Sequence, residues 1–303
     1  MTGLQRYIAE EIATDHVEGL LSRREALRRL ALLGIGGTAG AALIAACAHR
    51  QDQNAASTVS PAPTTSSAAE QPPGMARALP TSPVTWPGPL GELRGAWARA
   101  ATSKGAVLVI HENKGLTDWV RSVAGRLAGA GHSALAIDLL SERGGTGTFT
   151  DPAQATSALA GIAPEQFIND LNSGLDQLRR LVPGEKIAVV GFCFGGGLVW
   201  QLLASAAPAV SAAVPWYGPL PDHADFAKAQ AAVLGIYGAR DARVTGSEPA
   251  ARAALERAGL VHDTIIEPDA DHAFFNDTGP RYNAVASADA WQRMLDWFGR
   301  HLG

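Results

Sequence analysis

Only two cysteines, Cys47 and Cys193, occur in 303 residues. That is too few for a disulfide framework, so each thiol is read on its own. A basic excess is also missing: 25 Lys and Arg stand against 29 Asp and Glu, for a formal net charge of -4. The electrostatic footprint of a nucleic-acid-binding chain is thereby excluded. The apolar run at residues 30–46 is shorter than the ~20 residues a membrane helix needs. Clustered metal ligands and internal repeats are absent. His111-Glu112 lacks the second histidine of an H-E-x-x-H zinc motif, so neither metal nor organic cofactor is expected. Charged residues are scarce at 18%, while hydrophobic residues reach 47%. Such a chain is not disordered throughout and buries a sizeable core, in one large α/β domain or two ordinary ones.

The amino-terminal part reads as an address. Residues 1–21 form a polar, mildly amphipathic lead. Ser22-Arg23-Arg24-Glu25 follows, then the Gly- and Ala-rich run at 30–46. A positive segment, a short apolar segment and small residues before a cut point make a secretory signal. The Ser-Arg-Arg start resembles a twin-arginine signal, with Ala26 where a Phe is usual. The run ends Leu43-Ile44-Ala45-Ala46-Cys47, which resembles a bacterial lipobox. That resemblance implies acylation of Cys47, at ~0.8 kcal/mol of membrane affinity per buried CH₂. Residues 1–47 are accordingly expected to export and anchor the protein; the alternative is a cytoplasmic protein with an uncleaved amino-terminal helix. Residues 48–84, rich in Ser, Thr, Ala, Pro and Gln, read as a disordered tether.

The domain is expected over residues 85–303. Apolar runs at 106–110, 133–137, 187–190, 210–214, 232–236 and 262–266 predict strands. Amphipathic stretches at 118–130, 165–180, 196–206, 248–258 and 284–302 predict helices. Continuous apolar strands separated by helices mean βαβ units and a mostly parallel sheet buried on both faces. One segment carries the chemistry. A strand runs into Gly191-Phe192-Cys193-Phe194-Gly195 and then into an apolar helix. This G-x-C-x-G is a nucleophile elbow: the glycines let strand and helix close around a sharp turn, and the thiol stands beside a helix amino terminus that favours a thiolate. The fold orders its machinery as nucleophile, acid, histidine. Asp241 follows the apolar strand at 232–236, and His272 follows the next, so Cys193, Asp241 and His272 fit that order. His132 and His262 start strands, at the wrong edge of the sheet; His223 lies in a loop and His301 in the last helix. Asp269 and Asp271 compete for the acid role but lie too close to His272 in sequence to reach its far ring nitrogen easily.

Five motifs in this order resemble the dienelactone hydrolase family of α/β-hydrolases: His111-Glu112-Asn113-Lys114-Gly115-Leu116, the segment from Asp138 to Arg143, Gly191-Phe192-Cys193-Phe194-Gly195-Gly196, Gly238-Ala239-Arg240-Asp241, and the segment from Asp271 to Asp277. The resemblance implies an α/β-hydrolase fold and a hydrolase that opens a lactone or small ester through Cys193. It further implies that Glu112 stands beside the thiol and helps form the thiolate, and that the N–H groups of Phe194 and Asn113 make the oxyanion hole. Arg143 matches an arginine that binds a substrate carboxylate. A second such arginine is replaced by Asn276, which reduces the expected grip on an anionic lactone. Trp216, Tyr217 and Phe274 are candidate pocket walls, or core. Alternatives are a linear-ester hydrolase or thioesterase of the same fold, a lipid-anchored binding protein without turnover, and a thiol redox protein; the last lacks a resolving cysteine. The expected partner is a small ester or lactone and the expected state a monomer.

Overall fold

The computed structural model describes residues 1–55, 71–205 and 210–303. Three helices come first: α1 (Gly3–Val17), α2 (Arg23–Leu32) and α3 (Gly37–Ala55). A short 3-10 turn, Met75–Arg77, precedes β1 (Ser82–Pro87) and β2 (Glu92–Ala98). Then follow β3 (Ala106–Ile110), α4 (Asp118–Gly129), β4 (Ser133–Asp138), α5 (Pro152–Ala160), α6 (Pro164–Leu181), β5 (Ile187–Phe192) and α7 (Phe194–Ala204). The chain closes with β6 (Ala212–Trp216), β7 (Ala232–Gly238), α8 (Ala242–Thr245), α9 (Glu248–Arg257), β8 (His262–Glu267) and α10 (Ala284–His301).

The strands make one eight-stranded sheet in the order β1-β2-β4-β3-β5-β6-β7-β8. From β4 to β8 all neighbours run parallel, whereas β2 is antiparallel to both β1 and β4. Strands β3 to β7 are buried at every position, as their continuous apolar runs predict. The edge strands show mixed burial. Pro83 and Pro87 lie in edge strand β1, where a missing N–H costs the ladder least. Parallel strands with crossover helices bring their carboxyl ends to one edge, and the loops that leave β3, β5, β7 and β8 there carry Glu112, Cys193, Asp241 and His272.

Two boundaries differ from the sequence reading. The folded region begins before residue 84. Leu79 N–H donates to the Gly125 carbonyl at 2.9 Å, and a Cβ on Gly129 would fall 1.9 Å from the Arg77 carbonyl oxygen. The stretch around 77–79 therefore lies flat against the glycines of α4, a backbone contact that leaves no apolar signature. Of the expected tether, residues 56–70 lie outside the described residues, as do 206–209, which include the last residue of the expected helix 196–206. The second difference is larger. Residues 1–55 form three helices that pack on the domain. Helix α1 opens with a capping box in which Thr2 Oγ1 accepts from Gln5 N–H and Gln5 Oε1 accepts from Thr2 N–H. It buries Leu4, Tyr7, Ile8, Ile12 and Ala13. Gln5 donates to the Ala160 carbonyl on α5 at 2.8 Å, Ser157 of α5 donates to the Leu32 carbonyl, and Arg28 pairs with Asp151. Arg23 and Arg24 stay exposed. Cys47 is a buried thiol within α3. No described helix is long and apolar enough to cross a membrane.

Candidate active site

The turn after β5 is tight because two glycines allow it. A Cβ on Gly191 would sit 2.1 Å from the Gly195 carbonyl oxygen, and one on Gly195 would sit 2.5 Å from that of Ile110. Cys193 takes φ +56°, a left-handed conformation that a side-chain-bearing residue adopts only under strain. Its N–H donates to the Trp216 carbonyl at 3.0 Å, tying the turn to β6. The Sγ thus stands at the carboxyl edge of the sheet, beside the start of α7.

Asp241 and His272 converge on it from neighbouring loops. Asp241 caps α8: one carboxylate oxygen accepts from Val244 N–H at 3.2 Å, and the other bonds His272 Nδ1 at 2.6 Å. Burial would raise the Asp241 carboxyl, but the charge and hydrogen bond of His272 hold it below its ordinary value. With Nδ1 engaged, Nε2 is left on the side of Cys193. The His272 loop is fixed from behind. Arg126, with a side chain 1% exposed, pairs with Asp277 at 2.8 Å, and the Phe274 carbonyl accepts from Ser287 Oγ and Asn283 N–H. The competing Asp269 instead pairs with exposed Arg240.

Other predicted residues fall in different places. Glu112 and Asn113 are buried and line the chamber in front of Cys193. Glu112 accepts from Asn276 Nδ2 at 2.8 Å, and its other oxygen has no partner among the described residues. Burial pushes its carboxyl up. Arg143 ends a 3-10 turn, is exposed and does not line the chamber. Trp216 and Phe274 are fully buried and pack on each other, Trp216 also on Phe192 and Phe275, so they are core rather than chamber wall. Tyr217 is also buried; it holds φ +36° and sets its ring 5.3 Å from that of His272.

Two residues the sequence reading left in the lead segment stand in the site. Tyr7 of α1 places its hydroxyl 3.3 Å from Cys193 Sγ and 3.1 Å from His272 Nε2. Glu11, one turn on, accepts from Cys193 Sγ at 3.5 Å. The carboxylate bonded to the thiol is therefore Glu11, whereas Glu112 acts on it through space. Burial, then the charges of Glu11 and Glu112, push the Cys193 thiol well above its ordinary value, against the bonds from Tyr7 and Phe194 that lower it. This direction runs against the lowering expected from the helix terminus alone. The chamber holds about 250 Å³, and Ile12 of α1, Leu20 and Leu21 of the following turn and Leu33 at the end of α2 line it from the amino-terminal side. Among the described residues, Glu11, Cys193 and His272 are the one grouping with metal-ligand atoms within 4.8 Å of each other; the Tyr7 oxygen already bonds two of the three.

A mostly parallel sheet carrying an elbow, an acid and a histidine in that order defines an α/β-hydrolase. Residues 93–302 match the Dienelactone hydrolase family, and the chain belongs to it. Its membership and its relatives make it a carboxylic ester hydrolase. A Salmonella typhimurium protein named "Putative carboxymethylenebutenolidase" is 34% identical over 223 residues, covering 68% of this chain and 82% of that one. A dienelactone hydrolase-like promiscuous phosphotriesterase from metagenomic libraries superposes with TM-score 0.65 at 27% identity, over 75% of this chain and 100% of the other. The dienelactone hydrolase of Anabaena variabilis shares the fold, with TM-score 0.58 at 22% identity, over 75% and 100% of the two chains.

Proposed function

We propose that this chain hydrolyses a small lactone or ester through Cys193, with His272 as general base and Asp241 as its orienting acid. The observation that carries the reading is the 2.6 Å Asp241–His272 bond, which turns Nε2 toward a strained cysteine at the sheet edge. The thiolate attacks the carbonyl carbon, and the developing oxyanion rests on the N–H groups of Phe194 and Asn113, each such donor being worth about 3 kcal/mol. A thioester forms as the alcohol or enol leaves with a proton. His272 then draws a proton from water, which cleaves the thioester and releases the acid.

An uncharged substrate fits better than an anionic one. Arg143 is exposed and away from the chamber, position 276 is an asparagine bonded to Glu112, and of the lining cations Arg281 pairs with Asp15 and Glu18, Arg29 pairs with Glu25 and the charge of Lys114 acts on Glu112. A panel of p-nitrophenyl acetate, a neutral γ-lactone and an anionic dienelactone tests both points on the full chain. Turnover of the neutral members, lost in Cys193→Ala, is the expected result. Turnover that survives in Cys193→Ala would remove the thiol from the mechanism, and preference for the dienelactone would overturn the neutral-substrate reading.

A further inference from the structure

We propose that Tyr7, carried by the amino-terminal helix α1, is a catalytic residue that relays the Cys193 proton to His272. Its hydroxyl lies 3.3 Å from Sγ and 3.1 Å from Nε2, so it bonds both the donor and the acceptor of that proton. In the relay the S–H proton passes to the Tyr7 oxygen while the Tyr7 O–H proton passes to Nε2. The S–H electron pair stays on sulfur. Thiolate, neutral tyrosine and an imidazolium paired with Asp241 result, and no outside reactant is needed. The phenol is held for this purpose. It is buried, and the Arg243 guanidinium lies 4.4 Å from the ring centroid. Burial, followed by the charges of Cys193 and Glu11, holds its O–H well above the ordinary tyrosine value, so the oxygen keeps a proton to pass on. Docked α1 does not fill the site, because the chamber of about 250 Å³ remains beside Cys193 and Asn113.

This inference rests on Cys193 as the nucleophile, and its test separates the two. The groups facing the thiol are Tyr7 and Glu11 from α1, Glu112 after β3, Tyr217 after β6 and His272 after β8. Tyr7→Phe in the full chain keeps the ring and removes only the hydroxyl. Two readouts apply: the pH midpoint of Cys193 alkylation by iodoacetamide, followed by peptide mass so that Cys47 is counted apart, and kcat and KM for p-nitrophenyl acetate. In Tyr7→Phe the midpoint moves to higher pH, and kcat falls on the order of 10²-fold at unchanged KM. An unmoved or lowered midpoint, or a kcat at or above wild type, would overturn the relay and leave α1 as a cover. Should wild type hydrolyse no ester, the hydrolase reading fails by itself, and the alkylation midpoint still decides whether Tyr7 acts on the thiol.

Discussion

At Cys193 two neighbours from the same helix pull in opposite directions. The hydrogen bond with Tyr7 lowers the thiol pKa; the Glu11 carboxylate, 3.5 Å away, raises it by charge. Raising a thiol pKa lowers the thiolate fraction at every pH below that value, so neutralising Glu11 must increase it. Glu11→Gln is therefore expected to move the alkylation midpoint to lower pH, opposite to Tyr7→Phe, and to speed alkylation at pH 7.5 on the order of tenfold. The same peptide-resolved alkylation series measures it. A midpoint that rises would mean that Glu11 serves the thiol as proton acceptor more than it repels the thiolate. Glu112 is a quieter partner: its hydrogen bond goes to Asn276, and only its charge reaches the sulfur.

Among the elements, α1 is tied to the domain at its carboxyl end by Arg281, which pairs with Asp15 at 2.6 Å and Glu18 at 2.5 Å and is 14% exposed at its side chain. Hydrogen bonds to charged groups are worth about 1.5–3 kcal/mol each, enough to decide whether a single helix stays docked. Arg281→Glu sets three carboxylates together and should release α1, lowering kcat toward the Tyr7→Phe level while Cys193 becomes more accessible to alkylation at high pH. Adding Glu18→Arg restores a pair and should recover part of the kcat; a double variant no better than the single one would assign Arg281 some other role. Helix α1 also marks the limit of what the chain discloses by itself. Strands β3 to β7 were legible because burial on both faces writes an unbroken apolar run. The elbow was legible because Gly191, Cys193 and Gly195 stand within five consecutive residues, although Gly195 answers to the distant Ile110 carbonyl. The order of Cys193, Asp241 and His272 followed from the fold. What α1 does depends on partners 186 and 265 residues away, and no local pattern encodes such distances. The failure at Arg143 has the same source, since a loop residue's direction is set by turns such as Ser141–Arg143 rather than by its motif. Trp216 and Phe274 were legible as large and apolar, but whether the end of β6 and the His272 loop turn them to the core or the chamber is a packing outcome.

For the whole molecule, the segment that reads as an export signal and the segment that completes the active site overlap. Cleavage ahead of Cys47 with lipidation, the proposal that Arg23, Arg24 and the run to Cys47 support, would remove Tyr7, Glu11 and the wall formed by Ile12, Leu20, Leu21 and Leu33. Cys193, now 2% exposed, would then face solvent in front of an open sheet edge. A processed molecule cannot use the relay, so the two proposals give different active species. The check is intact-mass measurement on the protein recovered from the membrane and soluble fractions of producing cells, with p-nitrophenyl acetate turnover per mole in each. The relay predicts that the high-turnover species retains residues 1–46, and that any species beginning at an acylated Cys47 shows a kcat lowered to the level of Tyr7→Phe. Higher turnover in the processed species would reverse the role of α1: the phenol between Sγ and Nε2 would then keep the nucleophile and its base apart until the leader is removed.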